Sequence, residues 1–485
     1  MKPGKIFLFV ISIMLLLFAI SYFFPKEGIP LTKKKSLLFF DYNQLFTLHK
    51  HQTLSDTILK LIKETEKITN YAKETTNKTK DSVSTKELTN SKILKKKIFP
   101  LEFKSQEDRK KLFTFFKKIS HRNKLLRILH YADSQIEGDK ITAFIRYQLQ
   151  KKFGGNGAGL IPPVNFVNNF SIKQENSDNW TRYSIMENSK YNFTHKKYSF
   201  LASFSRFKSY NDSDTTVQTA WLKFSKSPIA YSNTKYFNNF RLFYGNNKKS
   251  VVIQLFGDNQ LIDFASLQPI DFGIYHCTLP NNLNEVTIKL IGADSPDIYA
   301  VAFDNNYGVA IDNIPIRGSS GTFFTKLDYN HLKKSYSALN IGLIIMEFGG
   351  NVLPYIKDSA ACEQYGRYYF SQIRRLQKLT SNVPIIVIGV ADMCIKEKTE
   401  FVSYPLIEKL QTEIKKAAFD AGAGFWDMYK AMGGKNSIAA WVNANPPLAA
   451  PDYTHFTSKG ANVIANMFYN AIINEYNTYK NTDKK

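Results

Sequence analysis

The chain has 485 residues, of which 44% are hydrophobic, so it is long enough to form more than one domain with a sizeable core. A net charge of +24 would favour binding to the phosphates of a nucleic acid. However, the lysine runs at 33–35 and 95–97 are not interleaved with aromatic residues as in an RNA-binding surface. We therefore expect a basic segment near a membrane or cell wall, and no nucleic-acid partner.

The first segment of the chain is strongly apolar. Residues 6–24, "IFLFVISIMLLLFAISYFF", follow Lys2 and Lys5, a pattern that predicts a membrane-spanning helix with its N-terminus inside the cell. A cleavable signal peptide, with Ala19-Ile20-Ser21 as its cleavage site, is the alternative. Both interpretations place the body of the chain outside the cytoplasm, either anchored to the membrane or secreted, in the periplasm or outside the cell.

The polar segment that follows predicts a stalk. Its one helical pattern has a narrow apolar stripe in charged surroundings, made of Ile58, Leu61, Ile62 and Ile68. We expect residues 1–28 to be an anchor or signal segment, and residues 29–98 to be a Lys-rich helical or disordered stalk with no core.

From about residue 99 the pattern becomes that of a folded domain. Residues 99–165 and 301–478 contain apolar runs typical of buried parallel strands, separated by helical segments, with a polar tail at 479–485. Residues 166–300 instead contain short alternating segments such as "TAWLKFS" and "EVTIKLIGA", which predict a β-sandwich. The sequence thus predicts an α/β domain with a parallel sheet, interrupted by an inserted β-sandwich.

A serine lies where one predicted strand ends. In "HYADSQIEGDK", Ser134 follows a buried strand and precedes a helical pattern, so its hydroxyl is expected at the carboxyl edge of the sheet near unpaired helix N–H groups. A nucleophilic serine needs such exposure and such donors. Helix capping is the other interpretation. Glu137 and Asp139 are expected in the first helical turn, as structural residues.

A candidate base follows near the end of the chain. His455 in "PDYTHFTSKG" has Asp452 three residues before it, so a short loop would let the carboxylate orient the imidazole. A capping aspartate beside a surface histidine is the alternative. Of the remaining histidines, His49 and His51 lie in the predicted stalk, and His195 and His276 lie in the predicted insert. The other three, His121, His130 and His331, lie in or beside segments where we expect no partnering carboxylate.

Two further elements lie at predicted strand ends. "EFGGN" ends a buried strand at Asn351, whose carboxamide is a candidate donor to an oxyanion, with a simple turn as the alternative. "DNIPIRGSSG" contains Gly318, whose backbone N–H is a candidate second donor, with Gly321 as the other choice.

The spacing of the three cysteines matches neither a zinc site nor a disulfide-rich scaffold. A single disulfide between two of them is an open alternative that we do not predict; the cysteines are Cys277, Cys362 and Cys394.

Taken together, these segments resemble the four signature blocks of the SGNH/GDSL hydrolases, which supply Ser, Gly, Asn and His in that order. "HYADSQ" resembles the first block, "DNIPIRGSSG" the second, "EFGGN" the third and "PDYTHFT" the last. The resemblance implies a three-layer, flavodoxin-like domain with Ser134, His455 and Asp452 as the catalytic triad. It also implies an oxyanion hole made by Ser134, Gly318 and Asn351. In one departure, Ala132 replaces the usual first glycine and therefore needs a negative φ.

Within this family, an insert between the first two blocks resembles the arrangement of cell-envelope carbohydrate esterases such as peptidoglycan O-acetylesterases. Trp180 and Trp221 of the insert are candidates to stack on sugars, with core packing as the alternative. The resemblance implies a serine esterase that removes O-acetyl groups from an acylated polysaccharide, with no metal or organic cofactor. An O-acyltransferase with the same residues and a non-catalytic glycan-binding or scaffold protein are the alternatives; the polysaccharide, the acyl group and the oligomeric state stay open.

Overall fold

The computed structural model describes residues 3–25, 28–32, 35–37, 39, 54–74, 99–121, 123–187, 195–210, 215–398 and 400–482. The elements up to the insert are α1 (Pro3–Phe23), β1 (Ile29–Thr32), β2 (Lys35–Leu37), α2 (Asp56–Glu74), α3 (Gln106–His121), β3 (Leu125–Ala132), a 3₁₀ segment (Ser134–Asp139) and α4 (Lys140–Phe153). Helix α1 is exposed at every residue except Ser21, and by its 21-residue length and apolar composition it is a candidate membrane span.

The next part of the chain is almost entirely antiparallel β-structure. Its strands are β4 (Gly159–Ile161), β5 (Ile172–Asn176), β6 (Thr181–Ser184), β7 (Ser203–Arg206), β8 (Gln218–Lys226), β9 (Asn239–Gly245), β10 (Val251–Gly257), β11 (Gln260–Leu267), β12 (Gly273–Thr278), β13 (Glu285–Gly292) and β14 (Asp297–Asp304). Short 3₁₀ turns lie at Ile185–Glu187 and Ser232–Lys235.

The chain then returns to alternating strands and helices. These are β15 (Gly308–Pro315), a 3₁₀ turn (Phe324–Lys326), α5 (Tyr329–Ser337), β16 (Ile341–Glu347), a 3₁₀ segment (Gly350–Tyr355), α6 (Ser359–Leu379), β17 (Ile385–Ile388), β18 (Cys394–Glu397), β19 (Glu400–Ser403), α7 (Ile407–Asp420), β20 (Gly424–Trp426), α8 (Met428–Met432), α9 (Ser437–Val442) and α10 (Ser458–Thr482).

Five strands form the parallel sheet, in the order β15-β3-β16-β17-β20. Strands β3 and β16 are buried at every position, because helices cover both faces of the sheet. Ile128 and Leu343 point toward α4 and α10, whereas Leu129 and Ile344 point toward α6 and α7. The predicted α/β domain with a parallel sheet is therefore confirmed.

The β-rich part forms two sheets that pack face to face. One has the order β11-β10-β13-β8-β5, and the other β12-β9-β14-β7-β6 with β4 added beside β14. Strand β14 is buried on both faces: Ile298 and Phe303 contact the first sheet, while Tyr299 and Ala302 contact the same core as β3. The second sheet thus lies between the sandwich core and the α/β domain. Strand β4 lies before residue 166 and the central strand β14 runs past residue 300, so this sheet extends beyond both predicted ends of the insert.

Helix α2 differs from the predicted stalk. Ile58, Leu61 and Ala72 are buried in the core that α4 and α10 share, and Asn466 of α10 donates a hydrogen bond of 3.0 Å to Thr65. The expectation of no core is therefore wrong for residues 56–74, because the narrow apolar stripe is covered by the α/β domain. Residues 40–53 and 75–98 of the predicted stalk lie outside the described residues.

A buried arginine joins the two parts of the molecule. Arg127 of β3 donates to Asp312 of the adjacent β15, with distances of 2.9 Å from Nε and 2.8 Å from Nη2, and to Asp304 of β14 at 2.6 Å. Asp312 also accepts from Leu160 N–H of β4 at 2.7 Å, and Arg241 of β9 donates to Asp304 at 2.6 Å. Burial alone would lower the pKa of Arg127, but Asp312 and Asp304 raise it above its usual value.

Replacing Arg127 tests this junction. Arg127→Met is expected to lower the free energy of unfolding by about 3–5 kcal/mol, because it leaves the buried Asp312 without its cation and Asp304 with Arg241 alone. Lys104→Met is the matched control, since Lys104 pairs with Asp420 at the surface with 57% and 36% of the two side chains exposed, and it should cost less than about 1 kcal/mol. Urea unfolding of both variants measures the difference; equal costs would contradict the role of the junction.

Candidate active site

Ser134 follows the carboxyl end of the central strand β3. Ala132 ends the strand, is fully buried and is not among the residues with positive φ, so its Cβ fits where the family pattern has glycine. Asp133 comes next, and its carboxylate accepts the Gln135 N–H at 3.0 Å. This contact closes a tight turn that places Ser134 at the sheet edge.

The helix expected directly after Ser134 begins later. Residues 134–139 form a 3₁₀ segment in which Glu137 and Gly138 have non-helical backbone angles, and α4 starts at Lys140. Gly138 has φ +74° and Asp139 has φ +64°, so the left-handed backbone at these two positions interrupts the helix. The expectation that the N-terminus of a long helix lies at Ser134 is therefore wrong.

Glu137 and Asp139 both form ion pairs in this turn. Asp139 is buried and pairs with Arg146 of α4, whose Nη1 lies 2.6 Å from Oδ2. Glu137 lies 3.4 Å from the Nε of Arg317, next to Gly318. The two carboxylates thus support the turn that follows Ser134, as structural residues would.

The structure brings His455 and Asp452 to Ser134. The Ser134 Oγ lies 2.9 Å from His455 Nε2, and His455 Nδ1 lies 2.8 Å from Asp452 Oδ2. The His455 and Thr454 N–H groups also donate to Asp452 Oδ1, each at 3.0 Å. Partial burial would raise the pKa of Asp452, but the hydrogen bonds from His455 and Thr454 outweigh it and hold the pKa below its usual value.

Two contacts hold the loop that carries His455. Gln135 donates through Nε2 to the Thr454 carbonyl at 2.7 Å, which ties the loop to the turn after Ser134. On the other side, the Tyr453 ring stacks on Phe401 of the β18–β19 hairpin at 3.7 Å between ring centroids. Both contacts restrict the position of the imidazole relative to the serine.

Asn351 reaches the same sheet edge from the end of β16. Its Nδ2 lies 3.1 Å from Asp133 Oδ2 and 3.2 Å from the Ser319 carbonyl, so both amide hydrogens point toward protein oxygens. Donation to an oxyanion therefore requires one of these acceptors to give up its hydrogen. The role of Asn351 as an oxyanion donor stays a prediction, and its position beside the serine turn agrees with it.

Gly318 and Gly321 differ in their surroundings. Gly318 is exposed in a turn with φ +74°, and an added Cβ would meet no atom within 4 Å. Gly321 is buried against Phe348, and its N–H donates to the Ser319 hydroxyl at 3.0 Å. Since the Gly321 N–H is already used, we retain Gly318 as the predicted donor, and its role in an oxyanion hole stays a prediction.

His130 has a carboxylate partner that the sequence did not indicate. Its Nε2 lies 3.1 Å from Glu347 Oε2, and both side chains are buried beneath the serine turn. The expectation that His130 lacks such a partner is wrong, because β16 lies directly beside β3 and places Glu347 next to Ala132. Only the strand order reveals this pair.

Asp133 belongs to the site, although the sequence analysis assigned it no role. Its position directly before Ser134 was the signal that could have indicated one. Its carboxyl group is 5% exposed. Burial raises the pKa of Asp133 to about 7 and the nearby Glu347 adds to this, against hydrogen bonds from Gln135 and Asn351 and the attraction of His455. Asp133 is thus a buried acceptor that orients the Asn351 amide.

The raised pKa of Asp133 predicts a pH effect on stability. The ordinary pKa is 3.8 and the folded value is about 7. Between these values the folded protein binds more protons than the unfolded chain, so the contribution of Asp133 to stability falls as pH rises. The stability of Asp133→Asn relative to the parent should therefore increase from pH 4 to pH 8, by an amount on the order of 4 kcal/mol.

Urea unfolding at a series of pH values measures this difference, with Asp178→Asn, which changes a solvent-exposed carboxylate, as the matched control. A difference between Asp133→Asn and the parent that stays constant across this pH range would contradict the raised pKa.

No family model matches the chain, and no curated protein matches it. Among solved structures, a peptidoglycan O-acetylesterase matches with a TM-score of 0.61 and 16% identity, over 78% of this chain and 99% of the other. An acetyl xylan esterase (TM-score 0.26, 18% identity, 34% and 81% covered) also matches, as does a salicylyl-acyltransferase from a tetracycline biosynthetic pathway (0.27, 9%, 65% and 96%). The TM-scores of the acetyl xylan esterase and the acyltransferase are too low to indicate that this chain shares their overall fold.

The match to the peptidoglycan O-acetylesterase covers 78% of this chain, so it includes parts of both the α/β domain and the β-sandwich. At this identity the match establishes the fold. The chain therefore shares its fold with a peptidoglycan O-acetylesterase.

Proposed function

We propose that this protein is an exported serine esterase that removes O-acetyl groups from a cell-envelope polysaccharide. The observation that carries the proposal is the connected set of hydrogen bonds from Ser134 Oγ to His455 Nε2 and from His455 Nδ1 to Asp452. This is the arrangement in which a base activates a serine while a carboxylate holds the imidazole in the required tautomer. The shared fold supports the same reaction class.

The geometry supports a two-step reaction. The Ser134 Oγ attacks the acetyl carbonyl carbon while His455 Nε2 takes the serine proton. The Ser134 and Gly318 N–H groups and the Asn351 amide stabilise the negative charge on the carbonyl oxygen. The C–O bond to the sugar then breaks, His455 protonates the departing sugar oxygen, and the acetyl group stays on Ser134.

Water completes the reaction. His455 removes a proton from the water as its oxygen attacks the acetyl-serine, and collapse of the second tetrahedral species releases acetate and returns the proton to Ser134. A sugar hydroxyl in place of the water would make the protein an O-acyltransferase. The side chains of His455 and Asp452 are 41% and 50% exposed, so solvent reaches the base. This exposure favours hydrolysis.

We further propose that α1 anchors the enzyme to the membrane, with the catalytic body in the periplasm or outside the cell. The helix is apolar along 21 residues and almost entirely exposed. Its side chains therefore contact solvent in the absence of a bilayer, which is costly for so large an apolar surface. If the segment is cleaved instead, the body is secreted.

Removing the proposed nucleophile tests the esterase function. Ser134→Ala should lower kcat for 4-nitrophenyl acetate and for an O-acetylated glycan by about a thousandfold or more, because no acyl-enzyme can form. Ser371→Ala, an exposed serine on α6, is the matched control and should keep full activity. Acetate release is measured directly. Full activity of Ser134→Ala, or an inactive parent protein, would contradict the proposal, and acetyl transfer to a glycan acceptor without acetate release would favour the transferase.

Changing the carboxylate tests the orientation of the base. Asp452→Asn should lower kcat by about 10- to 100-fold, which is less than for a buried triad because this pair is half exposed. The loss should appear in kcat more than in KM, since Asp452 acts through His455. Stopped-assay kinetics on 4-nitrophenyl acetate measure both constants, with Asp178→Asn as the control. An unchanged kcat would remove Asp452 from the mechanism.

A further inference from the structure

A cavity of about 370 Å³ lies where the β-sandwich meets the serine turn. Its α/β side includes Glu137 and Gly138 from the turn after Ser134, and Arg317, which precedes Gly318. The sandwich contributes the chain before β5, the strand β6 and the 3₁₀ turn after it; the lining residues from this side that enter the argument are Phe166, Arg182 and Glu187. The cavity is therefore built jointly by both domains, next to the two segments that carry the proposed nucleophile and an oxyanion donor.

Among the described residues, no carboxylate is hydrogen-bonded to the Arg182 guanidinium. Its hydrogen bonds go to neutral acceptors, the Val164 carbonyl at 3.4 Å and the Ser203 hydroxyl at 3.3 Å, both of them long. Its Nε is buried and has no hydrogen-bond partner among the described residues. Burial lowers the pKa of Arg182 to about 10, with Glu187 and Glu137 opposing this from a distance. A partly buried cation in this state gains from an added anion.

Phe166 positions this guanidinium. Its ring lies 4.6 Å from Arg182 Cζ, which fixes the plane of the guanidinium, and 57% of the Phe166 surface is exposed. An exposed aromatic ring beside a fixed cation offers a ligand both an apolar face and a charged group. Sugars with an acidic substituent have this combination of properties.

The second arginine of the cavity connects it to the reaction centre. The Nε of Arg317 lies 3.4 Å from Glu137, and 68% of the Arg317 side chain is exposed. Glu137 therefore already has a cation, and this ion pair joins the serine turn to the Gly318 turn. Of the two arginines, Arg182 is the one whose charge a ligand can neutralise.

We propose that this cavity binds a carboxylate-bearing sugar unit of the acetylated glycan, with the carboxylate on Arg182 and the sugar against Phe166. The proposal rests on the esterase function, and it adds the substrate class: an anionic glycan. The acetyl group of the bound chain would then reach Ser134 while the acidic unit occupies the cavity. The β-sandwich thereby contributes to substrate selection and not merely to core packing.

The test compares an O-acetylated oligosaccharide that carries a carboxylate with the same oligosaccharide after reduction of its carboxyl group to an alcohol. For the parent protein, kcat/KM should be about tenfold or more higher on the carboxylate form. Arg182→Met should remove most of this difference, and it should leave the rate on 4-nitrophenyl acetate, which does not fill the cavity, unchanged. Arg367→Met, which changes an exposed arginine on α6, is the matched control and should retain the full preference.

The outcomes separate this proposal from the esterase function. An active esterase that treats both oligosaccharides equally, or a preference that Arg182→Met leaves intact, would overturn the cavity proposal alone. An inactive parent protein would overturn the esterase function; the cavity is then tested by calorimetric binding of the two oligosaccharides to Ser134→Ala, where equal affinities overturn it. If Arg182→Met unfolds, as its melting temperature would reveal, the comparison of the two oligosaccharides on the parent protein decides.

Discussion

The arrangement of the whole molecule depends on the buried ion cluster around Arg127. This side chain leaves the central strand β3 and binds Asp312 of the neighbouring strand and Asp304 of the sandwich. An arginine with planar, two-pronged geometry suits this task, because it satisfies two carboxylates at fixed angles where a lysine would not. The cluster holds the second sheet of the sandwich against β3, the strand that Ser134 follows. The cluster therefore helps to fix the position of the insert relative to the reaction centre, together with the apolar core that β14 and β3 share.

From this arrangement the candidate site follows by topology. Strands β3, β15 and β16 are parallel neighbours, so the segments after their carboxyl ends meet at one edge and bring Ser134, Gly318 and Asn351 together. The loop before α10 adds His455 and Asp452 from the other end of the chain. A buried carboxylate, Asp133, orients the amide of Asn351. The electrostatic support of the site thus lies beneath the serine, and its base lies at the surface.

The parts of the site that the sequence predicted are those determined by local pattern. A polar residue after an apolar strand marks the sheet edge, and an aspartate three residues before a histidine in a short loop puts the two side chains within reach of each other. Interactions that depend on strand order were not predictable in this way. The His130–Glu347 pair and the Arg127 cluster need the order β15-β3-β16 and the position of the sandwich. The interrupted helix after Ser134 depends on backbone angles at Gly138 and Asp139 that the apolar periodicity of α4 does not reveal.

The central claim is that Ser134 is a nucleophile activated by His455. Labelling of the full chain with a serine-directed fluorophosphonate, followed by mass-spectrometric location of the modified residue, tests it most directly. We expect a single modified position at Ser134 in the folded protein, and labelling should be strongly slowed in His455→Ala because the serine then lacks its base. Modification at another serine, or labelling of Ser134 at the same rate in His455→Ala, would contradict it.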